Sequence, residues 1–366
     1  MWGRWVYPEA IFTYGYCIAD KEDVGIIYPQ ITQITQIKER KGMKLKDIYA
    51  IIAPELNEVE TRLRNVLYQS PLSIANLAED ILKTGGKRLR PALVLLSSKA
   101  CGYQGKGVID IATAVELIHT ATLIHDDVID NAILRRGIAS VNSRWGNHIS
   151  ILVGDYLYSN AISLLLIEGD IGLQRIVSSA VNKTCEGEII QSMSTGHSNL
   201  TEAEYLTIIE QKTAALISAS CHCGAYLGGQ DEKQCDKWQL YGQNLGTGFQ
   251  IIDDILDITG DEKRLGKLVC NDLREGRITL PVIFFFKNAP SNERNLFEQI
   301  LESGDFDANN IKWIIDNLRF YHAFEYARGV AGKYIDLAKE AINDLPDSEA
   351  KKSLLLLGDY VMERDV

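Results

Sequence analysis

Residues 114–130 read AVELIHTATLIHDDVID, and residues 245–257 read LGTGFQIIDDILD. Each is an apolar run with helical spacing that ends in Asp-Asp-x-x-Asp: Asp126, Asp127 and Asp130 in the first, Asp253, Asp254 and Asp257 in the second. Positions i and i+4 share one face of a helix, so the outer two carboxylates of each set point the same way with the middle one beside them. Clustered carboxylates repel one another unless a cation compensates. Hard oxygen ligands with room for water favour Mg²⁺, which binds one or two carboxylates plus substrate phosphates. A single cluster is equally well explained as a solvated helix end. Two copies, each after an apolar helix, point instead to metal ions at the rim of a buried bundle.

Working outward, apolar residues recur at i, i+3, i+4 and i+7 from Met43 onward. The spacing predicts helices over 44–69, 72–84, 91–101, 108–131, 147–167, 171–194, 202–228, 233–258, 276–288, 291–303, 308–319, 322–344 and 347–363, with no convincing strand. Ser70, Thr201 and Asp347 are candidate N-caps, and Pro71 and Pro91 are helix openers. The segment GDEKRLGKLVCNDLREGR (260–277) is long, charged and punctuated by glycine, as lids and binding loops often are. No Pro/Ser-rich linker interrupts the pattern. The expectation is one all-α catalytic domain over 43–366 behind a doubtful N-terminal extension, 1–42.

That extension lacks the basic start and apolar centre of a signal peptide and carries Asp20, Glu22 and Asp23. Glu39-Arg40-Lys41-Gly42 is what a purine-rich ribosome-binding sequence would encode, so Met43 is the expected natural start. N-terminal sequencing of the native protein tests this. The charge is 38 − 49 = −11, against a nucleic-acid partner. Seven cysteines in a chain of this length argue against a secreted disulfide framework, and a cytoplasmic location is expected. Cys221-His222-Cys223 has too few neighbouring ligands for zinc, which favours buried reduced thiols. No unbroken run of 18 apolar residues is present, so no membrane-spanning helix is expected.

An acidic protein that binds a diphosphate needs local cations, and these are present. Lys87, Arg88 and Arg90 follow Gly85-Gly86 in GGKRLRP; Arg135 and Arg136 follow the first acidic cluster; Lys212-Thr213 opens KTAALIS; Lys267 follows the second cluster. A Gly pair lets backbone approach an anion. Arg grips phosphate oxygens bidentately and Lys supplies point charge.

Taken in order, GGKRLRP, HTATLIHDDVID…RRG, KTAALIS and GFQIIDDILD…GK resemble the motifs of the trans-type polyprenyl diphosphate synthases, from about Met43 to the C-terminus. The resemblance implies an isoprenoid synthase-type helical bundle around a deep central cavity, assembled as a homodimer. It implies head-to-tail addition of isopentenyl diphosphate to an allylic diphosphate. By similarity, Asp126, Asp127, Asp130, Asp253, Asp254 and Asp257 bind three Mg²⁺ ions per site. Arg135, Lys212, Thr213, Gln250 and Lys267 serve the allylic diphosphate and catalysis, and Lys87, Arg90, His119 and Arg136 the isopentenyl diphosphate pocket. His119 lies two turns before Asp126 on the same side; without the motif it would read as a core histidine. His125 reads as structural.

Short-chain members of the family carry a bulky aromatic five residues before the first aspartate. Here that residue is Ala121, with Thr122 beside it and Ile118 and Val115 farther up. The resemblance thus implies an open floor and a product of thirty carbons or more, the length of quinone side chains. The sequence leaves open whether peripheral membrane contact accompanies release of so greasy a product. After the second cluster, Leu268, Cys270 and Arg277 stand where proline, glycine and lysine are common. If Cys270 needs positive φ, it carries strain of about 1–3 kcal/mol.

Several other classes share part of this pattern. A farnesyl or geranylgeranyl diphosphate synthase would share the chemistry with a shorter product. A terpene cyclase would lack Lys87, Arg90 and Arg136. A di-iron bundle needs two Glu-x-x-His motifs, and only Glu116-Leu117-Ile118-His119 is present. A non-catalytic partner subunit would typically lose its acidic clusters.

Overall fold

The computed structural model describes residues 44–68, 77, 81, 86–135, 137–167, 169–260 and 269–364. The extension, the helix expected over 72–84 with its openers Ser70 and Pro71, and Arg136, Lys267 and Leu268 fall wholly or largely outside these residues.

The described chain is nearly all helix. α1 (Leu45–Ile48) and a 3-10 turn lead into α2 (Ala53–Tyr68). Next come α3 (Leu89–Ala100) and the first acidic helix, α4 (Gly107–Ile129). A hairpin of two-residue strands follows, β1 (Leu134–Arg135) and β2 (Ile138–Ala139), pairing Leu134 with Ala139. Sequence periodicity is blind to strands this short. Then come α5 (Val141–Trp145), α6 (Asn147–Ile167) and α7 (Ile171–Ser194).

The helix expected over 202–228 is three pieces: α8 (Glu202–Ile209), a π turn (Glu210–Ala214) and α9 (Ala215–Leu227). The second acidic helix is α10 (Glu232–Thr259), followed by the short α11 (Asn271–Arg274) and α12 (Leu280–Asn288). The helix expected from 276 starts later because Gly276 has φ +73° and Pro281 sits in the first turn of α12. The remainder is α13 (Ser291–Ser303), α14 (Ala308–Phe320), α15 (Ala323–Ala341) and α16 (Glu349–Glu363).

Side-chain caps set several starts. Thr201 and Glu204 form a reciprocal capping box, and Asp170, Asp231 and Asp307 accept from the first-turn amides of their helices. Ser348, rather than Asp347, caps α16; Asp347 accepts from Lys351 Nζ at 3.1 Å instead.

A helix that is apolar on every side must be buried, and α4 packs Ile111, Ala112, Val115, Leu117 and Ile118 into the core. It lies against α6, while α10 lies between α9 and α15. Trp238 and Tyr241 of α10 are fully buried, and Tyr241 donates to the Leu354 carbonyl at 2.8 Å. By length and average hydropathy alone α4 and α6 are apolar enough to cross a membrane, although neither holds an unbroken run of 18 apolar residues. α4 uses that character for the core. α6 leaves Ile151, Leu152, Ile162, Leu166 and Ile167 exposed.

Candidate active site

The acidic ends of α4 and α10 open on one cavity of about 1050 Å³, the upper end of ordinary ligand pockets. Lys87, Arg90, His119, Thr122, Asp126, Asp130, Arg135, Lys212, Thr213, Gln250, Asp253, Asp254 and Asp257 all contribute to its wall.

In the first cluster the three carboxylates divide. Asp126 and Asp130, one turn apart, face the cavity. Burial lifts the Asp126 carboxyl to about 6, with Lys212 partly offsetting it. Asp130 accepts from Arg277, which also lies 2.5 Å from Glu275. Burial alone would lower the Arg277 pKa; Asp130 and Glu275 hold it above the ordinary value. Asp127 does not join the wall. It is 3% exposed and takes the guanidinium of Arg135, with Nε to Oδ1 at 2.7 Å and Nε to Oδ2 at 2.9 Å. Its carboxylate is occupied by Arg135, which the hairpin brings back over the end of α4.

The second cluster repeats the division. Asp253 accepts from Arg364 at 2.5 Å, and Asp257 accepts from the Asp272 amide at 3.0 Å. Asp254 is buried with both oxygens occupied, by the Tyr205 hydroxyl at 2.6 Å and by Gln250 Nε2 at 2.7 Å. Gln250 in turn accepts from the Thr213 hydroxyl at 2.8 Å. Burial first, then Asp272, pushes the Asp254 pKa well up. Asp254 thus lines the cavity while its oxygens hold Gln250 and the Tyr205 hydroxyl.

Lys212 and Thr213 sit in the π turn, an unwinding typical of functional sites. Two glycines let helices close on it. A Cβ on Gly187 of α7 would lie 2.5 Å from the Lys212 amide nitrogen, and one on Gly246 of α10 would lie 2.7 Å from Ala214 Cα. Lys212 Nζ is 2.5 Å from Glu188 and donates to Gln191 at 2.6 Å. Sequence reasoning missed Glu188, Gln191, Tyr205, Arg277 and Arg364, all on the cavity wall. Glu188 and Gln191 precede Lys212 on another helix, and no local pattern marks them.

Lys87, Arg90 and His119 share the wall beside Glu116. Burial pulls the Arg90 pKa down to about 10, against the pull of Glu116 and Asp253. Of the expected chain-length residues, Thr122 lies on the wall, while Ala121 and Ile118 are packed in the core at 1% and 2% exposure. Helical geometry gives the reason: four residues before Asp126 is the same face, five is well round the helix. Cys270 has φ +58°, the strained left-handed conformation anticipated for it.

The donor set fits a hard divalent cation. Asp126, Asp130, Asp253 and Asp257 supply carboxylate oxygens, and the half-buried Asp126 carboxylate is costly without compensation. Among the described residues no three His, Cys, Asp or Glu side chains converge on one point. An ion here would complete its shell with water and diphosphate oxygens, as Mg²⁺ commonly does. Cys221 and Cys223 flank His222 on α9. Both thiols are fully buried, and burial pushes Cys221 up to about 12.

Comparison with known proteins agrees. The sequence pattern of the family described as polyprenyl synthetase matches residues 72–318. The octaprenyl diphosphate synthase of Escherichia coli is 34% identical over 323 residues, 88% of this chain and all of that protein. A short chain isoprenyl diphosphate synthase of Methanothermobacter thermautotrophicus is 38% identical over 301 residues, 81% of this chain and 92% of that one. The crystal structure of a Caulobacter crescentus polyprenyl synthase, complexed with calcium and isoprenyl diphosphate, superposes with a TM-score of 0.85. It shares 31% identity over 89% of this chain and all of that one. The fold and site are those of a prenyltransferase enzyme. The chain belongs to the polyprenyl synthetase family.

Proposed function

We propose that this chain adds isopentenyl diphosphate head to tail to an allylic diphosphate, building an all-trans polyprenyl diphosphate of thirty carbons or more. The observation that carries the reading is one cavity walled by two acidic helix ends and two cation sets: Arg135 with Lys212, and Lys87 with Arg90. Asp126, Asp130, Asp253 and Asp257 would hold Mg²⁺. When bound, the ions neutralise charge growing on the departing diphosphate. Arg135 and Lys212 would grip the same group, joined through sequence similarity by Lys267.

The allylic carbon–oxygen bond breaks and its electron pair leaves with diphosphate, giving a delocalised cation. The isopentenyl double bond donates its pair to that carbon. The new cation loses a proton to the departed diphosphate, which restores a double bond. Thr213 and Gln250 present dipoles that steady positive charge without forming an adduct, and Asp254 holds them in place. Lys87, Arg90 and His119, with Arg136 by similarity, would orient the isopentenyl diphosphate.

A homodimer is the assembly we propose, through the exposed apolar face of α6. Substituting Leu166→Glu should give a monomer by sedimentation. A quinone side chain is the product's proposed use and the cytoplasm its proposed location.

The deciding experiment incubates the chain with Mg²⁺, labelled isopentenyl diphosphate and farnesyl diphosphate, then sizes the dephosphorylated products. A ladder reaching thirty carbons supports the reading. A stop at fifteen or twenty keeps the chemistry and refutes the length; no product refutes the activity.

A further inference from the structure

Arg88 stands between two residues of the proposed isopentenyl diphosphate pocket, yet its side chain does something different. It has φ +50° and ψ +36° at the start of α3, a left-handed conformation that a non-glycine residue adopts only under constraint. The constraint is a three-way clamp. Nε and Nη2 donate to the two oxygens of Glu60 on α2, the latter at 3.2 Å, and Nη1 donates to Glu116 on α4 at 2.7 Å. The Arg88 side chain is 15% exposed and that of Glu116 is 4% exposed.

Two residues on, Arg90 is the opposite case. It lines the same cavity as Glu116 and interacts electrostatically with it, but has no hydrogen-bond partner among the described residues. Its buried Nε is left unsatisfied. A guanidinium nitrogen buried without an acceptor costs free energy until one arrives. Of the two carboxylates that act on Arg90, Glu116 is already engaged by Arg88 and Asp253 by Arg364. Burial pushes the Glu116 carboxyl up, and Arg88 is the main influence pulling it back.

We propose that Arg88 is a positioning residue. By engaging both oxygens of Glu60 and one of Glu116 it draws Glu116 away from Arg90, and so leaves the Arg90 guanidinium for the diphosphate of isopentenyl diphosphate. This rests on the pocket reading given above. The two arginines of one short motif then divide the work. One neutralises the local carboxylates, and the other meets the substrate in a site that would otherwise carry no net positive charge there.

The test is a double-mutant cycle read as KM for each substrate. R88M should raise KM for isopentenyl diphosphate about tenfold or more, with little change in KM for the allylic diphosphate. Adding E116Q removes the competing carboxylate and should restore most of the affinity. E116Q alone closes the cycle. A clamp that served stability alone would give R88M and R88M/E116Q the same raised KM, and that result overturns the proposal. If R88M does not fold, R88K keeps a cation facing the two carboxylates without the fork; its KM should lie between and fall again with E116Q, and no fall overturns the proposal. R90M distinguishes the two layers. Unchanged KM for isopentenyl diphosphate in R90M overturns the pocket reading and this proposal with it. Raised KM in R90M with no rescue by E116Q overturns this proposal alone.

Discussion

Arg364, just beyond α16, donates to Asp253 at 2.5 Å while its guanidinium lies 4.3 Å from the centre of the Phe249 ring. The pair places a cation on one of the carboxylates proposed above to hold a metal ion. Without metal, Arg364 therefore offsets repulsion among Asp253, Asp254 and Asp257. R364M should lower stability in EDTA by about 1 kcal/mol, a modest figure because Asp253 is 36% exposed. In a chain of this size that is about 2 °C in Tm. With Mg²⁺ and diphosphate present the difference should shrink. Calorimetry under the two conditions checks this; an equal loss in both would mean that Arg364 acts by packing on Phe249.

The outer and middle aspartates should separate in their metal dependence. D126N should cut turnover on the order of a hundredfold or more and raise the Mg²⁺ concentration needed for half-maximal rate. D127N leaves Arg135 without its carboxylate. It should cost about 2 kcal/mol of stability and weaken allylic diphosphate binding, with the Mg²⁺ requirement unchanged. Metal titrations of both variants decide; a shifted requirement in D127N would return Asp127 to the ligand set.

Product length should answer to Thr122. A ring at this wall position would occupy the space into which the growing tail extends, so T122F should shorten the longest product while the first condensation continues. Sizing the products checks this. An unchanged ladder would place the length-determining residue elsewhere on the wall.

Acid should weaken the fold through His222. Burial holds its pKa below 6.5, partly offset by Asp236. The folded state therefore binds a proton less readily than the unfolded chain. The contribution of neutral His222 is fully present above pH 6.5 and is lost as pH falls below that value toward the folded pKa. H222Q should flatten this part of the stability profile. Denaturant midpoints between pH 5 and 7 measure it, and parallel curves for the two proteins would exclude His222.

The fold was readable because its signal is local. Apolar residues at helical spacing, Thr201 with Glu204, and paired glycines all act over a few residues. The two acidic repeats also located the cavity, since an apolar helix ending in carboxylates must stop at a rim. What could not be read depends on partners brought together by folding. Nothing near Asp127 or Asp254 tells which of three aspartates turns inward, because Arg135 and Tyr205 decide it from elsewhere. Arg277 reaches Asp130 across 147 residues, and Arg364 reaches Asp253 across 111. Ala121 lies in the core, one step round the helix from Thr122 on the wall, which only the folded packing reveals.

The π turn at Glu210–Ala214 has a consequence for how this chain tolerates change in length. A π turn accommodates one residue more than the α-helical path around it. Deleting any one of those five residues would let α8 and α9 fuse into a regular helix with little loss of helical content. The flanking turns would keep nearly their present faces, because the extra residue is what the π turn absorbs, so Tyr205 would stay by Asp254. The change would fall on Lys212 and Thr213, which the π turn presents to the wall. A circular dichroism spectrum would look healthy while turnover fell. A one-residue gap in this segment should therefore act on catalysis much as substitution of Lys212 or Thr213 does, and leave the fold intact.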